Sequence, residues 1–199
     1  MTKFNSDVDI DFGDRDLILQ HIKHTSASMH QSSGIPRKHN SGIYVTDAPY
    51  DPINEMCSLN YVEAENRGYI KLDLLNVWLY KLVRDEQHLT ELLREPDWGK
   101  LIDRQFFEKL IHIGNHYDTM FRMPETINSI PRLAMFLAII RPGKVHLIGK
   151  SWAEVAQHIW EKDHTGYSFK KSHAVAYAHL VTVHMNLLVE NPNAHNIQT

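Results

Sequence analysis

Polar and apolar residues alternate strictly over residues 7–12, Asp-Val-Asp-Ile-Asp-Phe. A period of two marks a half-buried strand, with Val8, Ile10 and Phe12 on its inward face. Gly13 ends it. Residues 14–24 follow with an amphipathic helical pattern through Leu17, Ile18, His21 and Ile22, and Asp14 stands as the N-cap. Residues 25–42 are rich in Ser, Gly, Pro and Asn and read as a loop, with Arg37-Lys38-His39 near its end. Strands are predicted at 43–46, 58–63 and 68–74, with the turn-forming run Asp47-Ala-Pro-Tyr-Asp-Pro52 between the first two.

From Asn76 the period becomes helical. Leu79, Leu82 and Val83 continue one apolar face, and shorter helical stretches follow near 85–95 and 101–114. Residues 128–140 form an apolar helix that Arg141-Pro142-Gly143 stops. Further helices are predicted at about 151–162 and 172–189, and the last nine residues read as a frayed tail. The outline is a small mixed sheet with one helix, then a helical region, which is an α+β fold. The expected division is a sheet unit over 1–75, a helical region over 76–190 and a flexible tail over 191–199.

Composition narrows the class. Of 199 residues, 43% are hydrophobic and 23% charged, the balance of a soluble chain with a core. A chain of this length needs no disulfide or structural metal to fold. The single cysteine, Cys57, excludes an intrachain disulfide framework and fits a reducing compartment. The longest apolar run, Leu133 to Ile140, is too short to span a bilayer, and the N-terminus turns acidic where a signal peptide is apolar. These features point to a soluble, cytoplasmic protein without a membrane partner. The formal charge of −3 argues against a protein that lives mainly on phosphate contacts. Its distribution is uneven. Residues 1–16 carry Lys3 and Arg15 against five aspartates, whereas residues 141–173 carry six Lys or Arg against Glu154, Glu161 and Asp163. An acidic start and a basic late segment suit a site that holds metal and phosphate, and equally suit solvated surfaces.

The acidic start places carboxylates in a definite pattern. Residues two apart on a strand share a face, about 7 Å from one another. Asp7 and Asp9 therefore project together, with Asp11 further along. Adjacent carboxylates repel unless cations neutralise them, and Mg²⁺ is a hard ion bound by one or two carboxylates together with substrate phosphates. In Arg67-Gly-Tyr-Ile-Lys-Leu-Asp-Leu-Leu75, the residues Ile70, Leu72 and Leu74 form the inward face and leave Tyr69, Lys71 and Asp73 on the other. If this strand lies beside the first, Asp73 joins Asp7 and Asp9, and three carboxylates can hold two metal ions about 3.5–4 Å apart. A solvated Lys-x-Asp pair is the alternative. The basic segment offers Lys170-Lys171-Ser172-His173 before a long helix, with Ser172 as its N-cap and Tyr177 one turn on from His173. Helix N-termini attract phosphate, and the plainer alternative is a capped helix with exposed lysines.

These residues carry a resemblance. The run Tyr167-Ser-Phe-Lys-Lys-Ser-His-Ala-Val-Ala-Tyr-Ala178 resembles the Phe-x-Lys-Ser-His-x-x-Ala-Tyr-Ala signature in the fingers of bacterial C-family replicative DNA polymerases, the DNA polymerase III alpha subunits. Ser6-Asp-Val-Asp-Ile-Asp-Phe12 resembles their palm motif Pro-Asp-x-Asp-x-Asp-Phe, with Ser6 in place of the proline. Tyr69-Ile-Lys-Leu-Asp-Leu-Leu75 is similar to the palm strand with the third catalytic aspartate, and Ile139-Ile-Arg-Pro-Gly143 to the Arg-Pro-Gly turn of the fingers. Lys38-His39 followed by Gly42 is similar to the family's Gly-Lys-His-Ala-Gly-Gly loop.

The resemblance implies a palm of the polymerase-β-like nucleotidyltransferase type, with Asp7, Asp9 and Asp73 as catalytic metal ligands for two Mg²⁺ ions, Mn²⁺ serving as substitute. It implies that Lys38, Lys71, Arg141, Lys170, Lys171, Ser172 and His173 face nucleotide or template phosphates, and that the setting is a bacterial or phage-infected cell. The departures are the upstream Gly-Ser nucleotide-binding element, the amino-terminal phosphoesterase domain and the thumb, none of which has a counterpart in these residues, and the basic Arg-Arg segment of the fingers.

Two functions follow. One is a DNA-directed DNA polymerase module, or one subunit of a split polymerase, that acts on DNA primer–template and nucleoside triphosphates beside other polymerase fragments or replisome proteins. The other is a non-catalytic DNA- or replisome-binding protein that keeps the fold. A histidine-based metal hydrolase is a third, weaker idea, because the 14 histidines form no His-Glu-x-x-His set.

Overall fold

A computed structural model describes residues 8–30, 35–161 and 169–194. The chain divides into two compact units, Met1–Lys81 and Leu82–Thr199. The first carries a mixed sheet and the second is helical, the α+β arrangement expected.

The sheet of the first unit contains β1 (Val8–Phe12), β2 (Thr25–His30), β3 (Pro36–Tyr44) and β6 (Leu72–Asn76) in the order β1-β6-β3-β2. β1 runs parallel to β6, and β3 runs antiparallel to both β6 and β2. A second, two-stranded ladder pairs β4 (Tyr50–Asp51) with β5 (Met56–Cys57). Between β1 and β2 lies the five-residue helix α1 (Arg15–Leu19), with Asp14 accepting from Asp16 N and Leu17 N as its N-cap. It is shorter than the predicted span 14–24. The core of this unit is Ala27, Tyr44, Cys57 and Ala64, with Ala48, Leu59 and Tyr69 packed on it.

Three local expectations are corrected here. First, residues 25–30 and 36–44 form paired strands instead of a loop. Their Ser and Ala residues are small because they are buried: Ala27 and Ser28 are shielded from solvent, and Ser28 Oγ donates to Leu59 O at 2.7 Å. Cross-strand pairing has overridden composition. Second, residues 58–63 are not a strand. Asn60 accepts from Val62 N and Glu63 N and starts helix α2 (Tyr61–Asn66). Third, the faces differ. β1 is the sheet's edge, with Val8 and Ile10 each more than a third exposed. Ile70 is exposed too, whereas Asp73, expected on the open face, is only 8% exposed. The sheet therefore buries its polar centre and leaves part of its apolar row in the open.

The second unit is built around two apolar helices, α6 (Ile130–Ile139) and α8 (Lys171–Glu190), packed on each other. From Leu180 to Leu188 almost every side chain of α8 is buried, which makes it the central helix. Shorter helices surround it, namely α3 (Glu86–Leu92), α4 (Arg104–Phe107), α5 (Tyr117–Phe121) and α7 (Trp152–His158), together with 3-10 turns at Trp98–Ile102, Gly114–His116 and Pro142–Leu147. Helix ends leave carbonyls without partners, and buried side chains of this unit supply them. Asn186 Nδ2 donates to Leu92 O at 2.8 Å and Arg94 O at 3.0 Å, closing α3. Lys144, 3% exposed, donates from Nζ to His158 O at 2.9 Å, closing α7. His88 fixes α3 to α8. Its Nδ1 accepts from Arg84 N at 3.1 Å, so the proton sits on Nε2, which donates to Glu190 Oε2 at 2.9 Å.

One predicted detail of α8 is corrected. The N-cap is Lys170, with extended backbone and no side-chain cap bond, so Ser172 lies inside the first turn. In the stretch read as a tail, Ala194 is 1% exposed and its N–H donates to Asn191 O at 2.9 Å, and residues 195–199 lie outside the described residues. Among the described residues no helix is long and apolar enough to cross a membrane.

Candidate functional site

The parallel ladder of β1 and β6 sets Asp9 directly opposite Asp73. Directly opposed residues of adjacent strands share a face, at the strand spacing of about 4.8 Å. On the other side of β6, Gly42 is the partner of Asp73. Asp73 thus stands on the central strand between a second carboxylate and a residue with no side chain. Asp7 lies outside the described residues.

A bulge brings β3 into play. Ser26 pairs with Ile43 and Ser28 with Lys38, so the single residue Ala27 of β2 stands opposite residues 39–42 of β3. Extra residues in one strand re-aim its side chains. Here they turn His39 and Ser41 towards Asp73. Ser41 Oγ donates to Asp73 Oδ1 at 2.7 Å. His39 Nδ1 accepts from Gly42 N at 2.9 Å and Ser41 N at 3.3 Å, which locks the bulge and puts the ring proton on Nε2. The same Nδ1 is 3.6 Å from Asp73 Oδ1, a contact between two acceptors. Burial, and then the Lys71 ammonium, hold the His39 pKa below its ordinary value, so the ring is neutral at neutral pH.

Lys71 lies across Gly42 and forms an ion pair through Nζ with Asp73 Oδ2. A Cβ at Gly42 would stand 2.8 Å from Lys71 Cδ and 3.1 Å from Ala27 Cβ, so only glycine leaves this path open. Tyr61 of α2 closes the cluster, its ring edge-on to His39 at 5.6 Å and 5.8 Å from the Lys71 ammonium. A carboxylate this buried needs a cation and a hydrogen bond, and Lys71 and Ser41 supply them. Lys38 lies apart from this cluster, paired with Glu55 at 3.2 Å in a half-exposed contact.

The remaining predicted residues belong to the second unit. Arg141 starts the 3-10 turn Pro142–Leu147 in extended backbone, and its guanidinium lies 4.6 Å from the Phe169 ring. Phe169 stacks on Tyr177 at 5.3 Å and 15°, and the His173 ring is 6.0 Å from Phe169. Lys170, Lys171 and Ser172 follow Phe169 directly and are exposed. The second unit therefore gathers Arg141 and His173 around one aromatic ring, and the first gathers Lys71, Asp73 and Asp9 on one face.

Sequence reasoning passed over Ser41 and Tyr61, and it set the pair His112/His116 aside because it forms no His-Glu-x-x-His set. Ser41 and Tyr61 were hidden by the misread loop and strand. A further cavity of about 360 Å³ in the second unit, lined by Trp98, Met120, Phe121 and Met123 among others, contains none of the predicted site residues. Among the described residues no group of three or more His, Cys, Asp or Glu is placed to hold a metal ion. Set beside known proteins, the chain matches no family model, no curated protein and no solved structure.

Proposed function

We propose that the first unit is a metal-dependent nucleotidyl-transfer centre of the C-family polymerase type, a palm-like sheet, and that the second is its fingers-like, nucleotide-facing region. The observation that carries the proposal is Asp9 opposite Asp73 on adjacent parallel strands, with Lys71 beside them. Two carboxylates so placed are hard oxygen donors and fit Mg²⁺, or Mn²⁺ in its stead, with water and substrate phosphates as the other ligands. Asp7 is the third carboxylate that a two-ion centre asks for. When bound, the metal activates a primer 3′-hydroxyl and offsets charge on the α-phosphate of a nucleoside triphosphate. Ser41 orients the Asp73 carboxylate, and Lys71 supplies a fixed positive charge next to it. Arg141, Lys170, Lys171, Ser172 and His173 are the proposed phosphate contacts, with Lys38 a further one in the first unit. The exposed edge strand β1 gives a second polymerase fragment a strand to pair with.

Primer extension by the purified chain, on primed single-stranded template with Mn²⁺ and all four triphosphates, tests the proposal. Extension that Asp73→Asn abolishes is the expected result. No extension by the wild-type chain removes the stand-alone enzyme.

A second reading has its own observation. Asp73 already has a cation and a hydroxyl donor in Lys71 and Ser41, the state of a carboxylate retained for structure. On that reading the chain is a DNA- or replisome-binding module. Binding of primed DNA in EDTA, unchanged by Asp9→Asn, is its signature.

A further inference from the structure

The cavity of about 360 Å³ in the second unit is walled by two stretches of chain. Trp98-Gly-Lys-Leu-Ile102 is a 3-10 turn started by Asp97, whose side chain accepts from Gly99 N at 3.0 Å. Met120-Phe-Arg-Met-Pro124 closes α5, and the chain runs on to Asn128 without helix or strand before α6 begins. Trp98, Leu101, Met120, Phe121, Met123 and Ile127 make the lining apolar.

Both walls are fastened by residues that do not line the cavity. Trp152 Nε1 donates to Glu125 O at 3.2 Å and Thr126 O at 3.3 Å, and the Arg132 guanidinium donates to Thr126 O at 3.0 Å. On the other side the Tyr117 hydroxyl donates to Ile102 O at 2.6 Å, and its ring lies 4.8 Å from that of Phe121. Ile102 and Phe121 are each more than half exposed. Unsupported apolar walls close, because an open space between them forfeits packing. Hydrogen bonds to the wall backbone keep this one open, which is how a preformed site is built.

The lining also sets the chemistry of what fits. Glu125 is its one charged residue, and its carboxylate is engaged: Oε2 accepts from Arg132 at 2.6 Å and Oε1 from Trp152 N at 3.4 Å. Lys100 and Arg122 lie between lining residues in sequence but are exposed and outside the lining. A charged ligand would shed water here without meeting an opposite charge. Two aromatic rings and two thioethers favour an aromatic body. The side chains of Thr126 and Asn128 are exposed and have no hydrogen-bond partner among the described residues, and the Asn128 amide offers donor and acceptor together.

We propose that this cavity binds a neutral, planar, bicyclic aromatic molecule with an amide-like edge. Its volume falls in the range of small-molecule sites, roughly 300–1,000 Å³. The rings lie among Trp98, Met120, Phe121 and Met123, and the polar edge meets Asn128. The site is separate from the carboxylate pair and does not depend on the function proposed above.

The test uses the full chain with its seven methionines labelled at the methyl carbon, and Met120→Leu and Met123→Leu give the assignments. 2-Naphthamide is the probe, and 2-naphthoate, of the same shape but negatively charged, is the control. The amide should move the Met120 and Met123 methyls to saturation and leave that of Met56, in the first unit, in place. The carboxylate should bind about tenfold more weakly. Met120→Trp fills the cavity and should abolish the shift at Met123, whereas Asn128→Ala should weaken binding about fivefold by the loss of one hydrogen bond. Thermal unfolding shows that each variant is folded, and exposed Asn128 keeps the test standing if Met120→Trp is not. Methyls at 120 and 123 that do not move, a Met56 that moves with them, a carboxylate that binds as well as the amide, or folded variants that bind as wild type overturn the proposal.

Discussion

Lys71→Met tests the centre of the first unit. The substitution keeps most of the side-chain volume and removes the ammonium from Asp73, whose side chain is 11% exposed, as Lys71's is 13%. Removing one partner of a buried pair strands the other charge and costs about 3–5 kcal/mol. The Ser41 bond to Asp73 is present before and after, so it offsets nothing. With exposed β1 next to Asp73, the lower end applies, about 3 kcal/mol. For a unit of the size of Met1–Lys81 that lowers Tm by about 12–24 °C. The double variant Lys71→Met/Asp73→Asn leaves no stranded charge, so it should be about 2 kcal/mol more stable than the two single losses add up to. Gly42→Ala approaches the same contact from another side, because its Cβ presses on Lys71 Cδ at 2.8 Å, and should lower stability in the same direction. Urea unfolding followed by circular dichroism, fitted with a separate transition for each unit, measures all four. A Lys71→Met within about 0.5 kcal/mol of wild type, or strictly additive losses, refutes the reasoning.

Three further outcomes are expected. Gly114→Ala sets a Cβ 2.5 Å from the Glu108 carbonyl oxygen and should cost about 2–3 kcal/mol in denaturant unfolding, with a loss under about 0.5 showing that the backbones are further apart. His88→Ala leaves Arg84 N and Glu190 without their buried partner and should cost about 2 kcal/mol, with His88→Gln intermediate by thermal unfolding. His39, His112 and His116 all have pKa values lowered by burial from the ordinary 6.5, so the unfolded chain takes up protons that the folded chain resists. Stability due to these groups is complete above about 6.5 and is lost as pH falls towards about 4. Urea midpoints at several pH values should show this slope, and a His112→Asn variant with an unchanged slope would exclude His112 as its source.

The helical unit was largely legible because its pattern is long. An apolar run ended by Arg141-Pro142-Gly143 marks α6 within two residues, and α8 is found within one. The sheet was less legible where burial selects small residues. Thr-Ser-Ala-Ser-Met-His has the composition of a loop, yet its Ala27 and Ser28 are buried by partners from ten to thirty-one residues away in sequence. The N-cap of α2 was present as Asn60 with Glu63 three residues on, but the surrounding apolar alternation masked it. Alternation also misjudged exposure at Val8 and Ile10, because period two says which residues share a face and not whether anything covers it. Asp9 and Asp73 were legible as candidates, whereas their environment was not: the bulge that delivers Ser41 and His39 exists only once β2 and β3 pair. The strain at His112, with φ 65° at the centre of a γ-turn, gave no signal, since such a turn is a property of the backbone and His is an ordinary residue in sequence.

What separates a catalytic pair from a structural one is which cation Asp73 prefers. In the present arrangement Lys71 holds one carboxylate oxygen and Ser41 the other, so a divalent ion competes with the ammonium for the same negative charge. Lys71→Met removes the competitor and leaves the charge of the Asp9–Asp73 pair without its neighbouring ammonium, which strengthens any metal affinity the pair has. A ligand present at about a hundred times its Kd adds about 2.7 kcal/mol of stability, close to what Lys71→Met is expected to lose. If the pair is a metal centre, Mg²⁺ at about 10 mM should restore most of the Tm of Lys71→Met, raise that of wild type less, and leave Lys71→Met/Asp73→Asn unchanged. If Mg²⁺ leaves Lys71→Met where it was, the lysine is the carboxylate's proper partner. The two aspartates are then part of the scaffold, and the DNA- or replisome-binding module is the function that stands.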